Sequence, residues 1–389
     1  VRVSSEKRSL GAAIKLWIVL ADYRVSNWVV NVFRKLLFNK PKAPGRILVF
    51  RTGSLGDNLC AMPAIIAIRR QFPTAQLDIL ANAGKANLVT LEKLLNPASY
   101  DSIIDYFGYS KKSLFSILRQ KRYDTIIYLP QTGITFFRLI RDMFFFRFVA
   151  RSGFGWEKSQ VNYWRQTQEK FIAFENEITR LNTLLTKNGI KVNDNDFPLY
   201  VQQADQQYVD EYFEKQGISD KRKNIAVVVG AKRPQNRWPI HYFKAVIDHF
   251  NKDYHIILVG GPEDKALTVA FKGMENIFDC CGYFTPIQST LALSKCCLTI
   301  SNDTGPMHLS YAVGTPTIAL FSSRDFPGKW FPPDNPSNRV FRSPDVHCSL
   351  CLSETCKNNI CMQDISPIRV ITEVESLLQQ LKPSFTSVI

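Results

Sequence analysis

The feature that most narrows the fold is a repeated alternation of short β-rich apolar runs with segments of helix length. The first half carries RILVF (46–50), QLDIL (76–80), SIIDYF (102–107) and TIIYLP (125–130). The second half carries NIAVVVG (224–230), HIILVGG (255–261), CLTISND (297–303) and TPTIALF (315–321). Such alternation predicts an α/β protein whose parallel sheets are flanked by helices, in two units. With 389 residues the chain has room for two cores. The expected boundaries are 46–200 and 201–389, with the division in the polar, weakly patterned region 190–220. A further core helix and strand are expected within the Phe- and Arg-rich stretch 135–155. That stretch can also be read as a basic, aromatic surface turned toward a lipid-linked substrate.

Residues 1–45 stand apart. From 12 to 38 apolar residues recur at helical spacing, at Ile14, Ile18, Ala21, Val25, Val29, Val32 and Leu36, with Trp17, Trp28 and basic flanks. This predicts an amphipathic helix, followed by a linker at NKPKAPG (39–45). Two destinations stay open for its apolar side: a membrane interface, or the body of the protein or a partner. Lys15, Asp22, Arg24, Asn31 and Arg34 interrupt the apolar region, so a membrane-spanning helix is not expected. No secretory leader pattern opens the sequence, and the expected compartment is cytosolic.

Three stretches follow strands and bear chemistry. In RTGSLGDN (51–58) a strand turns into a helix through Gly53, Gly56 and Asp57, at the sheet edge where open α/β proteins bind ligands. Asp57 is either a helix cap or a functional carboxylate, and the glycines suit a turn. The pattern is not G-x-G-x-x-G, and no G-x-x-x-x-G-K-[ST] occurs, which removes the main support for dehydrogenase and ATPase chemistry. TISNDTGPMHLSYAVGTPTIALF (299–321) runs from a strand through Asn302, Asp303, Thr304 and Gly305 into a helix opened by Pro306. Its first N–H groups and the Thr304 hydroxyl suit phosphate oxygens. His308 falls one turn in, as a ligand contact or as a satisfied core histidine. VVVGAKRPQNRWPIHYF (227–243) delivers Lys232, Arg233 and Arg237 after a strand, cations fit to neutralise a diphosphate. VGGPEDKA (259–266) offers Gly260, Gly261 and Glu263, for ribose or base contacts or as a plain turn.

The net charge of +15 calls for an anionic partner: nucleic acid, an acidic membrane face or a phosphorylated substrate. No nucleic-acid module is recognisable, so nucleic acid ranks last. Of nine cysteines, Cys348, Cys351, Cys356 and Cys361 form a compact cluster compatible with tetrahedral zinc or iron, with free thiols, or with disulfides. Cys280, Cys281, Cys296 and Cys297 border strands and read as small buried apolar residues. SPIRVITEVESLLQQL (366–381) predicts an amphipathic helix capped by Ser366, packing back on the body.

RILVFRTGSLGDNLCAMPAIIAIRRQFP and ISNDTGPMHLSYAVGTPTIALF together resemble glycosyltransferase family 9, the heptosyltransferases of the lipopolysaccharide inner core, over roughly residues 46–380. The resemblance implies a GT-B architecture, two Rossmann-like domains with parallel sheets facing a central cleft, acceptor on the first and nucleotide-sugar donor on the second. It makes Asp57 the catalytic base, with Thr52, Gly53, Ser54 and Gly56 as the acceptor-side loop. Lys232, Arg237, Glu263, Asp303, Thr304, Gly305 and His308 become donor-binding residues, Arg237 standing where the family has a phosphate-binding lysine. By the same resemblance the cysteine-rich tail is structural.

Inverting transfer needs a base on one side of the anomeric carbon and charge stabilisation for the departing diphosphate on the other. The expectation is therefore an inverting, metal-independent enzyme with no cofactor beyond its nucleotide-sugar co-substrate. That donor is expected to be ADP-heptose and the acceptor a lipopolysaccharide core or related glycan. The expected location is peripheral, on the anionic cytosolic face of a bacterial inner membrane. The alternatives are another nucleotide sugar, or a non-catalytic nucleotide-binding assembly protein docked on the membrane.

Overall fold

The structure is a computed structural model that describes residues 10–39, 43–82, 90–158, 174–192, 197–343 and 345–381. It divides between Pro198 and Leu199 into two compact units. In the first, helix α1 (Leu10–Leu37) precedes β1 (Arg46–Phe50), α2 (Leu55–Gln71), β2 (Gln76–Ala81) and β3 (Ser102–Asp105). Then come α3 (Lys111–Gln120), β4 (Tyr123–Tyr128), α4 (Phe136–Arg147), β5 (Ala150–Phe154) and α5 (Glu177–Lys187). The five strands form one parallel sheet in the order β3-β2-β1-β4-β5.

The second unit contains α6 (Gln203–Lys215), β6 (Asn224–Val228), α7 (Ile240–Phe250), β7 (His255–Leu258), α8 (Lys265–Thr268) and β8 (Ile277–Asp279). It continues through α9 (Pro286–Ser294), β9 (Leu298–Asn302), α10 (Gly305–Ala312), β10 (Thr317–Phe321), β11 (Asn338–Arg342), α11 (Ile360–Gln363) and α12 (Pro367–Leu381). Its six strands are parallel in the order β11-β10-β9-β6-β7-β8. The expected α/β class with two parallel sheets is what the chain adopts.

In both sheets the chain reverses its direction of travel at the centre, between β1 and β4 and between β6 and β9. Connections leaving two such neighbours diverge, and the gap they open lies at the carboxyl edge. Register aligns those edges: Phe50 pairs with Leu80 and with Tyr128, so residues 51–53, 82 and 129–131 leave the first sheet side by side. In the second, Val228 pairs with Ser301, and Asn302 with Leu320.

All eight apolar runs are strands. Two further strands, β8 and β11, carry no such run, because both sit at the edge of the second sheet and stay partly exposed. The 135–155 stretch is the expected helix and strand: Thr135 caps α4, whose Leu139, Met143 and Phe146 are buried, and Tyr128 Oη donates to Asp142 Oδ2 at 2.7 Å beneath it. Phe137, Phe144 and Phe148 nevertheless remain exposed.

α1 also differs from the simplest sequence reading. It packs on the first unit through Val30, Phe33, Leu37 and the following Phe38, whereas Ile14, Ile18, Val25 and Leu36 face outward. The helix is apolar on more than one side, and its carboxyl half reaches the α4 core with residues off the predicted stripe. In the second unit α12 packs as expected, burying Val370, Val374, Leu377 and Leu378 against α7 and the sheet. Cys280, Cys281, Cys296 and Cys297 are buried. Burial pushes the Cys280 thiol up to about 11 and that of Cys297 to about 12, which keeps both protonated and unreactive.

Candidate functional site

The 51–58 turn shows why it needs Gly53. Ser54 is the residue before α2, and Asp57, in the helix's first turn, folds back so that its Oδ2 accepts from the Ser54 N–H and the Ser54 hydroxyl, both at 2.8 Å. The Asp57 side chain therefore lies across the α-carbon of Gly53. A Cβ there would sit 2.2 Å from the Asp57 Cβ and 2.7 Å from its Cγ. The turn is clamped from both sides: Asn82, after β2, exchanges hydrogen bonds with the Gly53 N–H and C=O at 2.7 and 2.8 Å, and Gln131, after β4, donates to the Thr52 carbonyl at 2.8 Å. Thr52 and Gly56 are buried, while the Asp57 side chain keeps 19% of its surface open. The cap reading of Asp57 is thus correct as far as it goes, and the carboxylate remains reachable from solvent.

Beneath the turn lies a charge network not singled out in the sequence reading. Arg51, fully buried, donates to the backbone carbonyl of Asp57 at 2.9 Å and to that of Pro130 at 3.1 Å, and its Nη2 is 3.7 Å from Asp57 Oδ1. The compensating charge is Glu177, 1% exposed, at the start of α5. Its Oε1 accepts from Arg51 at 3.2 Å, its Oε2 from Arg180 at 2.7 Å and from the Thr132 hydroxyl. Burial alone would raise the Glu177 carboxyl, but Arg180, Arg51 and the Thr132 hydroxyl together hold it at about 2. A buried carboxylate between two guanidinium groups sets the seat on which the Asp57 turn rests.

In the second unit Asn302, fully buried at the end of β9, ties the carboxyl edge together. Its Oδ1 accepts from the Trp238 N–H at 2.9 Å and its Nδ2 donates to the Val229 carbonyl at 2.8 Å. Asn302→Ala strands both buried backbone groups, so about 2 kcal/mol of stability is expected to be lost, measured by urea unfolding. Arg237 is half-buried and donates through Nε to the Ala231 carbonyl at 2.9 Å, while Lys232 and Arg233 are exposed.

Asp303 follows Asn302 and accepts from Asn236 Nδ2 at 2.9 Å. Its burial and the nearby Asp325 push its carboxyl up to about 7, against the pull of Lys329, Arg233 and Arg324. Thr304 is extended at the head of α10, whose first turn begins at Gly305, so the first N–H groups of the helix have no carbonyl one turn earlier within it. His308, 4% exposed, shares a 2.7 Å hydrogen bond with the Tyr311 hydroxyl. It is a buried, hydrogen-bonded histidine in the first half of α10. Glu263 is exposed after β7, and its neighbour Asp264 occupies the edge instead. A Cβ at Gly230 would lie 2.0 Å from Asp264 Oδ1, and one at Gly260 2.6 Å from Oδ2, so the carboxylate sits between the ends of β6 and β7. Adjacent acids cannot be told apart in sequence; two glycines on neighbouring strands were the available signal.

None of the four tail cysteines is joined in a disulfide; Cys351 and Cys356 are exposed, Cys348 is half-buried and Cys361 is buried. Among the described residues no group of three or more His, Cys, Asp or Glu is placed to hold a metal ion. The sequence also contains one Asp-x-Asp pair, Asp194 and Asp196, which lies outside the described residues.

Each unit thus carries charged groups at the carboxyl edge of a parallel sheet, a carboxylate in the first and cations beside a helix start in the second. The profile of glycosyltransferase family 9 (heptosyltransferase) matches residues 112–361, and the chain belongs to that family. The matched span includes the Lys232–Arg237 and Asp303–His308 stretches and begins after Asp57. Lipopolysaccharide heptosyltransferase 2 of Salmonella typhimurium is 24% identical over 362 residues, 86% of this chain and 99% of that protein. A glycosyl transferase family 9 protein from Veillonella parvula has the same fold, with TM-score 0.67 at 19% identity, covering 90% of this chain and 99% of that one. The ADP-heptose lps heptosyltransferase II of Escherichia coli aligns with TM-score 0.59 at 22% identity, covering 87% and 99%.

Proposed function

We propose that the protein is an inverting glycosyltransferase that moves heptose from ADP-heptose to a lipopolysaccharide core or related glycan. Asp57 is the general base. The observation that carries this reading is its carboxylate, folded over Gly53, capped by Ser54, backed by the Arg51–Glu177 pair and still open to solvent. An acceptor hydroxyl attacks the anomeric carbon on the face opposite the diphosphate. The new C–O bond forms as the bond to the departing phosphate oxygen breaks, the hydroxyl proton passes to Asp57, and ADP leaves with the bonding electrons. The first unit thus serves the acceptor, with Thr52, Gly53, Ser54 and Gly56 as the loop beside it.

The second unit serves the donor. Lys232 and Arg237, with the N–H groups of Thr304 and Gly305, supply positive charge for the leaving diphosphate. For the ribose hydroxyls Glu263 is the exposed acceptor beside the β7 edge, with Asp264 held between the ends of β6 and β7. Burial and the nearby Asp325 favour the neutral form of Asp303, which lessens repulsion of a phosphate beside it. His308, a residue of α10 itself, holds the start of that helix for the donor through its bond to Tyr311. The names of the relatives support the donor: a heptosyltransferase from Escherichia coli with TM-score 0.55 was solved with ADP-2-deoxy-2-fluoro heptose.

Because charge stabilisation comes from side chains and backbone, no metal is required. Purified protein incubated with ADP-heptose and a deacylated core glycan is expected to release ADP and add one heptose, read by mass spectrometry, with the rate unchanged in EDTA. Turnover with a different nucleotide sugar in a panel reassigns the donor. Nucleotide binding without release from any sugar, with or without acceptor, makes the protein a non-catalytic binder and refutes the proposal.

A further inference from the structure

α1 turns an apolar stripe away from the unit it belongs to. Ile14, Trp17, Ile18, Val25, Trp28 and Leu36 are 52–76% exposed. At 100° per residue they fall on one side of the helix, within an arc of about 100°. The opposite side is the one that packs, through Ser26, Val30, Phe33 and Leu37. The exposed apolar surface does not stop at α1. Phe33 meets Phe144 of α4 edge-on at 5.9 Å; Phe137 of α4 is 83% exposed and Phe148, just after it, 66% exposed. Two packed helices that both keep aromatic and aliphatic side chains in water mark an interaction surface.

Charge says what it meets. Arg24 and Lys35 are exposed on the margin of the stripe beside Trp17 and Trp28, and Arg147 is exposed on α4, where Arg141 is paired with Asp142 at 2.6 Å. Asp22, the sole acidic residue of α1, is neutralised by Lys158, whose Nζ lies 2.9 Å from its Oδ2. A second copy of the chain laid on this stripe would bring basic margins against each other, which opposes association. A bilayer containing acidic lipid accepts both parts, indole and aliphatic groups at the headgroup level and cations against the phosphates. No helix among the described residues is long and apolar enough to cross a membrane.

We propose that the outward side of α1, extended by the exposed phenylalanines of α4, is a docking surface for an anionic lipid bilayer. The proposal does not depend on the reaction assigned above. If both hold, a lipid-anchored acceptor and the enzyme share one interface.

The test is co-sedimentation of the full chain with phosphatidylcholine vesicles, with and without phosphatidylglycerol, at low and high salt. Binding is expected on the phosphatidylglycerol vesicles and weakened by salt. The Trp17→Glu, Trp28→Glu double variant is expected to lose at least about tenfold in partitioning, each indole contributing apolar burial in the interface. Arg24→Gln and Lys35→Gln are expected to lose about fivefold each at low salt. All these positions are exposed, so melting temperature and heptosyl transfer to a water-soluble acceptor should not change. Absent binding by the unaltered chain, or equal binding by the tryptophan double variant, overturns the proposal. So does a lipid-free dimer that the same two substitutions dissociate, since the stripe would then be covered by a second copy. Failure of the vesicle experiment with transfer intact removes the docking surface alone; loss of transfer with vesicle binding intact removes only the reaction.

Discussion

Replacing Asp57 by asparagine is expected to lower the transfer rate by about 10²–10⁴-fold with donor affinity unchanged, the range a general base contributes. Asparagine keeps an oxygen that can accept from the Ser54 N–H, so the start of α2 should hold and stability should change by no more than about 1 kcal/mol. That separation matters because the carboxylate has two jobs in the structure, capping α2 and facing solvent. Gly53→Ala tests the same point without touching the acid. Its new Cβ would stand 2.2 Å from the Asp57 Cβ, so the carboxylate must move while remaining present. A fall in rate comparable to that of Asp57→Asn, at a stability cost of about 1–3 kcal/mol, is the expected result. Single-turnover measurement of sugar transfer, beside calorimetric titration of ADP, reads both. An Asp57→Asn enzyme with full activity would leave Asp57 as a cap and nothing more.

Glu177→Gln carries the largest expected change in stability, about 3–5 kcal/mol, because it leaves Arg51 and Arg180 buried without their shared carboxylate. Against a total of about 5–15 kcal/mol that is enough to unfold a marginal unit. The pH dependence has a definite sign. The carboxyl sits at about 2 when folded, below its ordinary 4.5. Its contribution, about 3 kcal/mol, is therefore complete above pH 4.5 and is lost as pH falls toward 2. Urea unfolding across that range should show the unaltered protein losing stability and the glutamine variant losing less. Identical acid profiles would show that Glu177 is not the group responsible. Since Arg51 also holds the backbone of Asp57, a variant that stays folded should turn over more slowly through a displaced base.

What could be read in advance depended on whether a residue's neighbours in space were also its neighbours in sequence. The central strands were legible because a strand buried on both faces must be apolar throughout. The edge strands β8 and β11 were not, because partial exposure permits residues such as Asn338, Arg339 and Arg342. The strand-turn-helix at 51–58 announced a tight, capped turn through its two glycines and acid. The residue that supports it, Glu177, stands 126 positions from Arg51, and nothing in the composition around it marks an ion pair. Glu263 and Asp264 differ in sequence by one methylene and one position, yet only Asp264 faces the gap beside Gly230. The amphipathic character of α1 was plain from its spacing; which of its apolar sides would be covered was not.

By itself, then, the sequence determined the local events: where apolar periodicity makes strands and helices, where glycine and aspartate make a turn, and which family carries that succession. Those follow from backbone hydrogen bonding and burial, which act over a few residues at a time. Only the tertiary structure decided that Arg51 and Glu177 compensate each other under Asp57, that His308 is buried against Tyr311, and that the stripe from Ile14 to Leu36 looks outward. Charge compensation and the choice of a covered face depend on what distant segments bring into contact, and no spacing within one segment encodes it.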